Sequence, residues 1–360
     1  MSPKPWVLVA DGCDPNDQSR TTLWTVRALG IAGYPATVAV SSRHSAAEAS
    51  RFCRDRVIVP PATAPSFAEA IHGELRRKDY LTVLPTGDAA LLALGAPVDH
   101  LLDKSRLLPL ARDVGLEVPP TEVFETSGEL IAAAPRLRYP VVAKPALGRP
   151  ARRYDGSAAL IAALDGAPQR FLIQPYLDGG LWSIAGVMWH GRLVAAVHQR
   201  FLRTWPPDAG MACAAVTIEP DLEVEARLVE LLGGYEGVFE VDLVGRYLLD
   251  VNPRVYASIS LAVASGVNLV SVYCDLLRGR DVPVTRARPG VRFRWLEGDL
   301  RFVADRLWKK KMTVSEAARI LRPRRDTAPG GSEWLADPKP LLARARYLLT
   351  RLQERASDGA

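Results

Sequence analysis

Cysteine is scarce in this 360-residue chain: Cys13, Cys53, Cys213 and Cys274 stand far apart with no paired spacing. That excludes a zinc ribbon or a disulfide framework and suits a reducing compartment, so a cytoplasmic location is expected. Long apolar runs are lacking as well. The stretch before Asp11 holds only five consecutive apolar residues, too few for a signal peptide. Val255–Cys274 carries no charge, but Ser258, Ser260, Ser265, Gly266, Asn268 and Ser271 interrupt it. It reads as a buried helix broken near Gly266 and resumed through Leu269, not as a membrane span. Missing too is the glycine fingerprint of dinucleotide sites, since the first strand runs into Asp11-Gly12-Cys13-Asp14-Pro15-Asn16. That counts against a nicotinamide or flavin enzyme. Internal repeats and low-complexity tracts are absent.

Charge is unevenly spread. Residues 291–360 hold 16 Lys/Arg against 9 Asp/Glu, which leaves the remainder at 30 against 31. A basic tail can meet nucleic acid, but aromatic interleaving and glycine-rich RNA motifs are missing, so a solvated helical surface is the expectation. Trp308 followed by Lys309-Lys310-Lys311 reads the same way, as a helix end.

Strands and helices alternate from the start: 6–11, a helix over 19–30, a strand at 36–40, a helical stretch around 46–53, then 57–59, a helix over 66–77 and a strand at 80–84. This predicts a parallel sheet with right-handed crossovers, a Rossmann-like lobe. The pattern then changes. Lys104 opens a helix that stops at Gly115, and strands follow at 121–124, 139–145 and 171–175. Trp182–Trp189 and Arg192–Phe201 read as an antiparallel pair about His190-Gly191, and a helix covers 222–232. His190 and His198 read as turn and strand residues without chemistry.

The most informative stretch is Gly237–Arg254, two short strands joined at Val244-Gly245-Arg246. Side chains two apart share a face, so Glu240 and Asp242 fall together, as do Asp250, Asn252 and Arg254. Carboxylates and an amide oxygen that face one another suit a hard divalent cation that also takes phosphate oxygens. Arg254 adds a fixed cationic fork for a phosphoryl group. The structural alternative is a polar hairpin whose acids pair with Arg246 and Arg254.

Lys144 ends an apolar strand and calls either for an anion or for a path to solvent. The loop after it, 146–156, carries Gly148, Arg149, Arg152, Arg153 and Gly156, enough flexibility and positive charge to close over phosphates. Gln174-Pro175-Tyr176-Leu177 is either a proline-broken edge strand or an adenine site. In order, Asp103-Lys104, Val-Val-Ala-Lys144-Pro, Gln174-Pro-Tyr-Leu-Asp-Gly, Asp242 and Asp250-Val-Asn252-Pro-Arg254 resemble the ATP-grasp superfamily, most nearly its bacterial carboxylate–amine ligase-like branch. The resemblance covers roughly residues 6–280.

It implies an α/β (α+β) protein with four parts: a Rossmann-like lobe (1–95), two α+β lobes that clasp ATP (96–176 and 177–288) and a basic, mostly helical extension (289–360). Lys104 and Lys144 would hold the ATP phosphates, and Gly148 would sit in the loop that closes over them. Ile173, Gln174, Tyr176 and Leu177 would line the adenine pocket. Asp242, Asp250 and Asn252 would ligate two Mg²⁺ ions (Mn²⁺ being an acceptable substitute), and Arg254 would steady the transferred phosphoryl group. Many members carry glutamate where Gln174 and Asp250 stand here, and Leu181-Trp182-Ser183 replaces the usual ribose contact. Both lysines and the metal set are kept, which favours an active enzyme.

The implied activity is an ATP-dependent ligase that converts a carboxylate to an acyl phosphate and joins it to an amine. A carboxylase, a carboxylate–thiol ligase and a catalytically silent nucleotide-binding regulator are the alternatives. Its partners would be small molecules, with no nucleic acid and no membrane span; a homodimer is compatible with this. Arg203, or else Arg200, is a candidate for the γ-phosphate or the substrate carboxylate. The alternative for both is a surface strand end.

Overall fold

The computed structural model describes residues 3–11, 19–41, 45–147, 151–164, 170–207, 210–324 and 326–358, with side chains except at 351, 352 and 354–358. The first lobe comprises β1 (Trp6–Ala10), α1 (Arg20–Ile31), β2 (Ala36–Val40), β3 (Cys53–Ile58), α2 (Phe67–Arg77) and β4 (Tyr80–Pro85). Its strands are parallel in the order β3-β2-β1-β4. Alternation along β1 decides which helix covers which face. Val7 and Val9 join Leu23, Val26 and Leu29 of α1, while Leu8 and Ala10 join Phe67 and Ile71 of α2. Ser19 caps α1 by accepting from the Thr22 N–H at 3.1 Å. The helical stretch expected over 46–53 is a run of turns instead. Ser45 Oγ takes the Glu48 N–H, Ser50 Oγ bonds Asp337, and Cys53 already opens β3. Serines that bond nearby backbone compete with helix in this way.

Next come α3 (Asp88–Ala93), α4 (Asp99–Leu102), α5 (Lys104–Asp113), β5 (Glu122–Phe124), α6 (Ser127–Ala133), β6 (Val141–Pro145), β7 (Arg152–Tyr154), α7 (Ser157–Leu164) and β8 (Phe171–Pro175). A small antiparallel sheet, β5-β8-β6-β7, packs on α6 and α7 through Leu130, Leu160 and Leu164. Part of the loop expected over 146–156 is therefore strand β7.

The remaining elements are β9 (Leu181–Trp189), β10 (Arg192–Trp205), β11 (Met211–Thr217), α8 (Leu222–Leu231), β12 (Gly237–Val244), β13 (Tyr247–Asn252), α9 (Ile259–Ala264), α10 (Leu269–Leu277), β14 (Thr285–Arg286), β15 (Arg292–Arg294), α11 (Leu296–Trp308), α12 (Val314–Leu321), β16 (Thr327–Pro329) and α13 (Lys339–Asp358). They build a central sheet in the order β13-β12-β9-β10-β11-β15-β16, with β14 also on β10. His190 and Gly191 at the β9–β10 turn have φ of 48° and 70°, the paired positive values of a type I′ hairpin. Beyond residue 288 the chain is mostly helical but adds β15 and β16 to this sheet.

One face of the central sheet buries Ile184, Phe239 and Val241 against Leu107 and Leu228. The other buries Ala185, Val187 and Val238 against α9 and α10, which also pack on α1. The uncharged stretch 255–274 is thus the filling between two sheets. Gly266, at φ 98°, breaks it where expected. Among the described residues no helix is long and apolar enough to cross a membrane.

Candidate active site

The β12–β13 hairpin places Asp242 opposite Asp250 and Glu240 opposite Asn252. All four residues lie on the sheet face turned toward the first lobe. Gly245 at the turn takes φ +54°, a conformation that glycine adopts without strain. Asn252 Nδ2 lies 3.5 Å from Asp242 Oδ2, and the Val251 N–H bonds Asp250 Oδ1 at 3.0 Å. Two lysines converge on this pair from other elements. Lys104, the first residue of α5, is 3.2 Å from Asp250 Oδ1, and its backbone N–H bonds Ala146 O just beyond β6. Lys144 reaches from β6 and donates to Leu249 O at 3.3 Å.

Both lysines are only 5 % exposed. Burial, reinforced by the Lys104 charge, pushes the Lys144 ammonium down to about 8 although Asp250 and Asp242 pull it up. Two buried ammonium groups beside two carboxylates form a cluster that can exchange internal ion pairs for phosphate oxygens and a metal ion.

Arg254 closes the other side. It donates to Asn252 Oδ1 (3.0 Å), to Val255 O (3.1 Å) and through Nε to Asp88 Oδ1 (2.5 Å). Asp88 begins α3 in the first lobe, after β4. The sequence reading missed it, although Thr86-Gly87-Asp88 at the carboxyl end of a parallel strand was the available signal. Beneath the hairpin lies a second group that the sequence did not disclose. Gln199 Nε2 lies within hydrogen-bond distance of Ser183 Oγ (2.7 Å), Ser258 Oγ (2.8 Å) and Glu240 Oε1 (3.0 Å), and the Ser258 hydroxyl donates to Gln199 Oε1 at 3.1 Å. This buried network fixes β9, β10, β12 and the start of α9 to one another, and so stiffens the hairpin.

The expected adenine residues sit where β8 leaves the small sheet. Ile173 is in that sheet's core, and Gln174, 3 % exposed, donates to Thr121 Oγ1 at 2.9 Å. Both side chains therefore serve packing and strand anchoring. The Tyr176 N–H bonds Pro140 O, its ring carries the Arg153 guanidinium at 4.1 Å, and Leu177 is half-buried beside it. Gly148 lies outside the described residues.

Arg203 is not brought to the carboxylates. Strand β10 continues through it to Trp205, and its guanidinium grips fully buried Asp299 of α11 with two bonds of 2.8 and 2.9 Å. Asp299 also pairs with Arg294 at 2.8 Å. A bidentate pair of this kind holds the C-terminal part on the sheet, and Arg203 is a structural residue here. Arg200 is exposed.

Among the described residues no three His, Cys, Asp or Glu side chains are grouped to hold a metal ion. The donor set of Asp242, Asp250 and Asn252 nonetheless fits Mg²⁺, which needs only one or two carboxylates when phosphates and waters complete its shell.

Residues 167–299 match the family described as ATP-grasp in the biosynthetic pathway with Ter operon. The arginine-specific carbamoyl phosphate synthase large chain of Geobacillus stearothermophilus is 24% identical over 302 residues, 73% of this chain and 28% of that one. This chain thus spans little more than a quarter of that relative's length. Among solved structures, the L-amino acid ligase of Bacillus licheniformis shares 14% identity at a TM-score of 0.56, over 77% of this chain and 75% of that one. The N5-carboxyaminoimidazole synthetase of Staphylococcus aureus complexed with ADP shares 12% at 0.61, over 78% and 79%. The biotin carboxylase domain of the Hydrogenobacter thermophilus 2-oxoglutarate carboxylase, with MgADP and bicarbonate, shares 13% at 0.59, over 81% and 74%. The fold is that of these three proteins.

Proposed function

We propose that this chain is an ATP-grasp enzyme that activates a carboxylate with ATP and joins it to an amine, a reading supported by the match of residues 167–299 to an ATP-grasp family. The observation that supports this reading is the convergence of Lys104, Lys144, Asp242, Asp250, Asn252 and Arg254 from a helix, the small sheet and the central hairpin. Lys104 and Lys144 bind the ATP phosphates. The nucleotide sits between the small and central sheets, with Tyr176 and Leu177 beside the base. Asp242, Asp250 and Asn252 hold Mg²⁺, two ions in the fullest form, with Mn²⁺ able to replace it. When bound, the metal neutralises phosphate charge.

Chemistry then needs positioning more than a protein nucleophile. A substrate carboxylate oxygen attacks the γ-phosphorus, the bond to the β,γ-bridging oxygen breaks, and ADP leaves. The amine nitrogen attacks the acyl carbon, the C–O bond to phosphate breaks, and phosphate departs as the amine gives up a proton. Arg254 orients the phosphoryl group through both steps. The biotin carboxylase domain of the Hydrogenobacter thermophilus 2-oxoglutarate carboxylase, in complex with bicarbonate, shares the fold, so bicarbonate as the acid is the second reading.

ADP release tests both. MgATP is supplied with pools of amino acids, simple acids or bicarbonate, with and without amines. One acid pool should stimulate release at least tenfold, and an Asp250→Ala/Asn252→Ala double variant should abolish it. Release driven by bicarbonate alone would select the carboxylase. Nucleotide binding without acid-dependent release from any pool would make the chain a regulator.

A further inference from the structure

A cavity of about 280 Å³ lies between the first lobe and the central sheet, beside Arg254. Its walls come from Val83–Pro85 at the end of β4, Ala96–Val98 between α3 and α4, Gly234–Val238 at the start of β12, and Pro253–Val255 just past β13. In the first lobe the chain winds outward from β1 to β2 and β3, then crosses to β4 on the other side of β1. Ligands of open α/β sheets bind at the carboxyl ends of the strands beside such a reversal, and the cavity borders that end of β4.

We propose that this cavity seats the carboxylate substrate, and that it selects a compact acid with an apolar body, an aliphatic α-amino acid or a simple aliphatic acid. The proposal rests on the ligase reading above and names the substrate class for it. Three observations carry it. Arg254 lines the cavity while its Nη2 holds Asn252 Oδ1 of the metal set, so one guanidinium spans the acid's seat and the phosphoryl end. Among the described residues, three of its five N–H groups are engaged, which leaves donors for a carboxylate.

The walls beyond it are mainly apolar, with Val83, Leu91, Val98, Val238 and Val255 among them. The polar groups that share the lining are His100, Tyr235, Glu236 and Tyr273. A second carboxylate would have to give up its hydration against these apolar walls and would share the cavity with the Glu236 carboxylate. The volume falls just below the ~300 Å³ at which ordinary ligand pockets begin, so a large aromatic acid does not fit. Bicarbonate would leave most of the space unused.

Two substitutions away from the phosphate machinery test this. Ala96→Phe fills the cavity, and Val83→Ala widens it. Saturation-transfer NMR on the full chain, with Mg²⁺ and a non-hydrolysable ATP analogue present, reports acid binding. The panel is butyrate, isovalerate, valine, leucine, aspartate, glutamate and tryptophan.

Binding of the compact apolar acids to wild type, weakened at least tenfold by Ala96→Phe with nucleotide binding retained, is the expected result. Val83→Ala should shift preference toward the next larger homologue by about threefold, a gain that misfolding cannot mimic. Isovalerate against valine shows whether the ammonium group contributes. The assignment is overturned if no acid binds, if aspartate and glutamate bind as well as valine, or if neither substitution alters the profile. ADP release with ATP in the same samples separates the two readings. Acid-dependent release untouched by both substitutions removes the cavity assignment and leaves the ligase. Acid binding that Ala96→Phe abolishes, with no release at all, keeps the cavity and removes the ligase.

Discussion

Asp88 and Arg254 are 166 residues apart, and their 2.5 Å contact joins the first lobe to the metal hairpin. Arg254 side-chain exposure is 11% and that of Asp88 is 25%, so the pair is shielded enough for its geometry to matter. Asp88 touches no reacting atom in the proposed mechanism; it is a positioning residue that holds the guanidinium against Asn252 and the cavity. A hydrogen bond to a charged group contributes ~1.5–3 kcal/mol. Asp88→Ala should therefore lower kcat by about 10–100-fold. The KM for ATP should stay within about twofold, because Lys104 and Lys144 are untouched. Asp88→Glu should recover part of the loss. Steady-state kinetics with the acid that drives ADP release check this, and a rise in the KM for ATP with kcat unchanged would show that Asp88 acts on nucleotide binding instead. Arg203 teaches the complementary lesson. Its composition suggested an anion site, but the charge that claims it, Asp299, is 96 residues away and invisible to local reading.

The elements divide along the same line between local and distant causes. The β12–β13 hairpin was legible because period-two alternation and a tight glycine turn are local, and they suffice to put Asp242 opposite Asp250. The parallel order of the first lobe followed from alternating strands and helices. The turns over 46–53 were not legible, since Ser50 is claimed by Asp337 from the other end of the chain. Nor was the role of α8. Its Glu225 takes a hydrogen bond from His198 of β10 at 2.8 Å and a fork from Arg286 of β14, and so pins helix to sheet. Burial alone would raise the Glu225 carboxyl, but His198 and Arg286 more than offset this and hold it below its ordinary 4.5. A carboxyl that binds protons less tightly when folded stabilises the fold fully above its unfolded value, and that stability is lost as pH falls through the folded one. Urea denaturation between pH 7 and pH 3 should show a loss of stability beginning below about pH 4.5. Glu225→Gln should flatten that part of the profile and cost about 1–3 kcal/mol at pH 7. An unchanged profile would place the acid sensitivity elsewhere.

At the scale of the whole molecule, the C-terminal segment behaves as a strap and not as an appendage. After β16 the chain crosses to the first lobe, where Asp337, 1% exposed, meets Arg27 of α1, 0% exposed, at 2.9 Å. Asp337 also takes the Ser50 hydroxyl (2.6 Å) and the Arg51 N–H (2.9 Å), and Arg27 Nη1 and Trp24 Nε1 both donate to Gly331 O. Trp334 lies 5.4 Å from Trp24 and 5.8 Å from Phe52, so the ion pair is roofed by aromatic rings. Through Asp299 the same C-terminal region grips Arg203 of the central sheet. The strap therefore ties the first lobe and the central sheet, which form the walls of the Arg254 cavity, to a common support. Removing one partner of a buried pair leaves an uncompensated charge and costs ~3–5 kcal/mol. Asp337→Ala should destabilise the protein by about that amount in urea, with Trp334 emission shifting red in a transition that precedes loss of the central sheet. Acid-dependent turnover should fall while nucleotide binding at Lys104 and Lys144 persists, since neither lysine lies on the strap. A variant in which both losses coincide in one cooperative step would show that the first lobe and the central sheet are a single folding unit, with the strap adding stability but no control over the cavity.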